Sequence, residues 1–97
     1  MNQKHTDMLG LIIGSYTYEQ QREIFVEECA EAIQAVQKCK RNTYRMQTLA
    51  AFENFKEEVA DVLIMAEQMR QYIGAKEIDK IIDAKLRRQI ERIRERE

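Results

Sequence analysis

The sequence predicts an all-α fold: a helical bundle of three long helices plus a short one, completed by oligomerisation. Three observations carry this. The 97 residues hold no proline and only three glycines. Apolar residues recur at the helical period of about 3.6 over three long stretches. No stretch shows the apolar-polar alternation of a strand, and none repeats at a solenoid period. No linker composition interrupts the chain, so residues 1–97 read as one domain, an arm over 1–15 and a bundle over 16–96. A chain this short buries only about 60–70% of its unfolded surface, which makes a second copy the expected remedy.

The arm is expected to be irregular or briefly helical around Leu9, Leu11, Ile12 and Ile13, with His5 in a mobile N-terminus. Thr17 followed by Gln20 forms a capping-box pattern, after which Ile24, Phe25, Ala32, Ile33 and Val36 keep helical spacing. The first long helix is thereby predicted from Tyr18 to Lys40. Polar Arg41-Asn42-Thr43 breaks the pattern, and Tyr44 to Ala51 reads as a short helix or a lead-in to the next. Phe52, Phe55, Val59, Val62, Leu63, Ala66, Met69 and Ile73 mark a second long helix. Gly74 stands where a left-handed residue would close it. Ile78, Ile81, Ile82, Leu86, Ile90 and Ile93 mark a third.

Sixteen basic and seventeen acidic residues leave a formal net charge of -1, which removes any global pull towards nucleic acid or an acidic membrane. The uncharged apolar stretch Met8 to Ile13 is too short to span a bilayer, and no basic-then-apolar leader opens the sequence. A cytoplasmic protein is expected. Cys29 and Cys39 lie about 15 Å apart along one helix, too far for a disulfide, and no thiolate or imidazole stands at zinc spacing nearby.

The chemistry lies in two acidic runs. The first long helix contains Glu27-Glu28-Cys29-Ala30-Glu31 and the second contains Glu57-Glu58-Val59-Ala60-Asp61. At about 100° per residue, Glu28 and Glu31 sit about 60° apart around the helix, as do Glu58 and Asp61, so each pair points one way. Both runs interrupt apolar stripes, which favours a buried or cleft position. Two carboxylates about 5 Å apart repel by roughly 3 kcal/mol at an effective dielectric near 20, so convergent acids need a compensating charge. Raised carboxyl pKa values or Lys and Arg partners would serve. Four oxygen donors without His or thiolate are what a hard cation such as Mg2+, or Mn2+, prefers. The competing reading is a solvated helix face, because Glu is a strong helix former. Two similar runs on successive helices favour the metal.

At these residues the sequence resembles the MazG-like all-α nucleoside triphosphate pyrophosphohydrolases, a superfamily that includes dimeric dUTPases and phosphoribosyl-ATP pyrophosphatases. Phe25-Val26-Glu27-Glu28-Cys29-Ala30-Glu31 resembles the first E-E-x-x-E motif of that family. Lys56 to Leu63 resembles its E-E-[LIV]-[GA]-D-[VL]-L motif. With the last helix, the likeness covers residues 20 to about 93. It implies that Glu28, Glu31, Glu58 and Asp61 hold magnesium, with Glu27 and Glu57 as further candidates, and that a nucleoside triphosphate is cleaved to the monophosphate and pyrophosphate. It also implies a homodimer or homotetramer.

Lys85-Leu86-Arg87-Arg88-Gln89-Ile90 is similar to the family's phosphate-meeting K-F-x-R-R-F run, with Gln89 where its second arginine would be. Lys85 and Arg88 are the implied phosphate-binding residues, and Arg92 shares their helical face. Glu27 or Glu31 is the candidate for activating water. Lys38 to Asn54 matches no family pattern, and Tyr18, Tyr44, Phe52 and Tyr72 are candidates either for stacking on a base or for the core. Two rival readings remain: a non-catalytic helical dimerisation or regulatory module, and a phosphoribosyl-ATP pyrophosphatase.

Overall fold

The computed structural model describes residues 1–41 and 45–96, with side chains in the second stretch described from residue 48 onward. Four helices follow in order: α1 (Gln3–Ser15), α2 (Tyr18–Arg41), α3 (Arg45–Ile73) and α4 (Ala75–Arg96). The described residues contain no strand, and the fold is all-α. Among them no helix is long and apolar enough to cross a membrane.

The arm differs from expectation in being a full helix of 13 residues. The Asn2 side chain caps it by accepting from the His5 amide at 2.9 Å, so His5 belongs to its first turn. Gly10 and Gly14 each cost about 1 kcal/mol of helix propensity. The cap and the packing of α1 on α3, where Leu9 is buried, offset that cost. The short helix therefore stands at the amino terminus. No separate helix forms before Phe52, because α3 already begins at Arg45 and runs unbroken to Ile73. Met46, Gln47, Leu49, Ala50 and Ala51 are all good helix formers, and no breaker separates them from the apolar stripe. Asn42, Thr43 and Tyr44 lie outside the described residues.

The predicted caps take shape where α2 begins and where α3 ends. Thr17 and Gln20 satisfy each other reciprocally: the Thr17 amide donates to Gln20 Oε1 at 3.0 Å and the Gln20 amide to Thr17 Oγ1 at 3.2 Å. Gly74 closes α3 with a positive φ of 129°. A Cβ there would also run into the Glu77 carboxylate.

Helices α2 and α3 form the main packing unit. They run antiparallel, since Tyr18 meets Tyr72 edge-on at 5.3 Å while Glu31, further along α2, meets Glu58, earlier in α3. Ala35, Ala51, Met65 and Met69 are buried with Leu9. Small Ala35 lets the two backbones approach, and flexible Met65 and Met69 fill the space left. The Tyr72 hydroxyl lies 3.4 Å from the carbonyls of Ile13 and Tyr16, towards which it donates, tying the α1/α2 corner to α3. Tyr18 and Tyr72 are thus structural. Phe52 is half exposed.

Helix α4 is joined to α3 by one hub. Arg70 donates to both carboxylate oxygens of Asp79 at 2.8 and 2.6 Å and to Glu67 at 2.7 Å. Helix α4 buries none of its residues.

Candidate metal centre

The site rests on how two helical spacings meet. Within α2, Glu28 and Glu31 share a face one turn apart, and Glu58 and Asp61 do the same in α3. The antiparallel register then sets Glu28 against Asp61 and Glu31 against Glu58, each pair within carboxyl-to-carboxyl hydrogen-bonding reach. One oxygen from each of Glu28, Glu31 and Glu58 lies within 4.8 Å of the other two. Asp61 touches Glu28 from an exposed position outside that set of three.

Glu28 and Glu58 are half-buried. Each buries its Oε2 atom with no hydrogen-bond partner, an arrangement that folded proteins rarely tolerate without compensation. Burial pushes the Glu28 carboxyl above its ordinary range, and the charges of Asp61, Glu31 and Glu58 push it further. Burial likewise raises Glu58, followed by Glu31, Asp61 and the adjacent Glu57. Among the described residues no ion pair reaches them: the acids that pair with Lys or Arg there are Glu23, Glu53, Glu67, Asp79 and Asp83.

A cluster of this kind is neutralised by protons or by a cation. The donor set is oxygen only, two of its oxygens are buried and unpartnered, and three converge from two rigid helices. These properties fit a hard divalent ion such as Mg2+ or Mn2+. Glu31, the exposed member, is the one that water reaches most readily.

The other candidates lie apart. Glu27 and Glu57 are exposed neighbours of the cluster and do not join its three oxygens. Lys85 and Arg88 are exposed on α4 and form no ion pair among the described residues, whereas Arg87, between them, pairs with Asp83 at 2.8 Å.

Two buried polar residues escaped the sequence reading. Gln21 and Gln68 are 3% and 2% exposed, seven positions from Glu28 and Asp61 respectively, hence about two turns along the same seam. Gln68 Nε2 donates to the Met65 sulfur at 3.6 Å, and its Oε1 is buried without a partner. The seven-residue spacing was the signal, since it continues each acidic face along its helix.

Comparison with protein-family models, curated proteins and solved structures returns no match. The geometry of the acids, together with the motifs in which they stand, therefore carries the functional reading.

Proposed function

We propose that this chain is a metal-dependent nucleoside triphosphate pyrophosphohydrolase of the MazG-like kind, cleaving an NTP or dNTP to the monophosphate and pyrophosphate. The observation that supports it best is the convergence of Glu28, Glu31 and Glu58, with two buried, unpartnered oxygens and no ion pair to a basic side chain among the described residues. The two E-E-x-x-[ED] motifs supply the substrate class by resemblance. In this reading Glu28, Glu31 and Glu58 hold Mg2+ or Mn2+, with Asp61 beside Glu28. The ion, when bound, neutralises phosphate charge where the bond breaks.

The rest of the chemistry falls to the chain. Glu31 or Glu27 orients a water and takes its proton as the water oxygen bonds to the α-phosphorus. The bond from the α-phosphorus to the bridging oxygen breaks, and that oxygen leaves with the pyrophosphate. Lys85 and Arg88 hold the outgoing group. The protein works in the cytoplasm as a homodimer or homotetramer.

Pyrophosphate release from a panel of canonical and modified nucleoside triphosphates, phosphoribosyl-ATP included, tests this in magnesium, manganese and chelator. Metal-dependent release is expected, lost in Glu58→Gln and Asp61→Asn with helix content retained. Full activity in both variants would remove the metal assignment. Silence across the panel would favour a non-catalytic assembly module, a reading that the exposed apolar stripe of α4 also suits.

A further inference from the structure

Gln68 is buried, and its Oε1 atom lies in the interior without a hydrogen-bond partner. Folded proteins seldom leave an amide acceptor in that state. Its Nε2 atom donates to the Met65 sulfur, a weak acceptor that holds the amide in this orientation. Carried two turns past Glu28 and Asp61, the antiparallel register sets buried Gln21 opposite Gln68.

Two cavities flank the cover over this amide. One, of about 140 Å³, lies among Leu9, Ile13 and Gln71, and the other, of about 270 Å³, among Leu9, Ile12 and Ile64. Leu9 is common to both, and Ile64 and Gln71 stand four residues before and three after Gln68 on α3. Leu9 of α1 thus sits over the Gln68 stretch of α3 with space on either side. With its side chain swung aside, the cavities join into one space within the roughly 300–1,000 Å³ of small-molecule pockets.

We propose that this space takes the nucleobase of the substrate and that Gln68, with Gln21 beside it, reads the edge of the base. The inference rests on the nucleotide reading given above. Gln68 stands seven residues from Asp61, about 10 Å along α3, a span that one nucleoside covers from its α-phosphate to the far edge of its base. Chemistry narrows the base. A glutamine amide accepts from an amino group through its oxygen and donates to the neighbouring ring nitrogen, the pairing by which glutamine reads adenine. The unpaired atom of Gln68 is that oxygen, so the space suits a base with an amino group beside a ring acceptor, cytosine or adenine. Uracil, thymine and guanine present a carbonyl there and would set oxygen against oxygen.

Two measurements test this. In the first, the side-chain amide signal of Gln68, assigned through its contact with Met65, is followed by NMR in chelator with cytidine, adenosine or uridine at millimolar concentration. Nucleosides carry no phosphate, so the acidic cluster takes no part. Cytidine or adenosine should move the signal and uridine should not. No movement, or equal movement with uridine, overturns the proposal whatever the catalytic outcome. The second is kcat/KM for dCTP, dATP and dUTP in magnesium, for the parent and for Gln68→Met, which keeps the side chain's length, with helix content measured alongside. The parent should favour dCTP or dATP over dUTP by about tenfold or more, and the variant should bring that ratio near one. A preference that survives in the variant overturns the proposal. A parent that moves the Gln68 signal with cytidine or adenosine but turns over no triphosphate would remove the hydrolase reading and leave the base site standing.

Discussion

Glu28→Gln is expected to stabilise the metal-free protein while removing its response to magnesium. At the 4.8 Å limit of the cluster, two full charges repel by about 0.9 kcal/mol in water and about 3.5 kcal/mol at an effective dielectric near 20. Glu28 is half-buried and Glu31 exposed, so solvent screening puts this pair near the lower figure, about 1 kcal/mol. A glutamine at position 28 keeps the shape, deletes that repulsion and offers an amide donor to the facing carboxylates. For a domain of this size about 1 kcal/mol moves Tm by about 4–8 °C, so thermal unfolding in chelator should rise by that amount. With magnesium at about 100 times its Kd, the parent chain should gain about 2.7 kcal/mol, or about 10–20 °C. The variant should gain little. Circular dichroism melts of both chains, in chelator and across a magnesium titration, check both signs. A variant that melts lower in chelator, or one that keeps the full magnesium shift, would refute the reasoning.

Other outcomes follow from the same structure. The raised carboxyls of Glu28 and Glu58 give the folded chain more bound protons than the unfolded chain above their ordinary value of 4.5. Metal-free stability should therefore be full below about that pH and fall as pH rises through the raised values, and saturating magnesium should flatten or reverse the trend. Melts from pH 4.5 to 8 with and without chelator show this. Arg70→Ala removes the hub to Glu67 and Asp79, and hydrogen exchange should quicken in α4 while the α2/α3 seam stays protected. Thr17→Ala deletes the capping box of α2 and should cost about 1 kcal/mol, read as a lower urea midpoint at unchanged slope.

The contrast between the amino-terminal arm and α2 shows where local reading holds. The start of α2 and the close of α3 at Gly74 were legible because a capping box and a positive-φ glycine act through neighbouring residues. The arm was misjudged because two glycines lower propensity locally, while the packing on α3 that offsets them comes from residues far away in sequence. Of the two readings open for the segment before Phe52, the lead-in to the next helix holds from Arg45 onward, because the backbone there has no breaker.

The site divides in the same way. Sequence by itself determined that Glu28 lies beside Glu31 and Glu58 beside Asp61, because helical geometry fixes residues three apart to one face. It could not say how the two faces meet. Only the antiparallel register of α2 on α3 brought Glu28, Glu31 and Glu58 within 4.8 Å, left Asp61 at the rim and buried two oxygens without partners. Tertiary structure also decided that Arg70 is spent on the α3/α4 hub while Lys85 and Arg88 stay in solvent. Spacing along one helix follows from covalent geometry, whereas contact between helices is chosen by packing that no local pattern encodes.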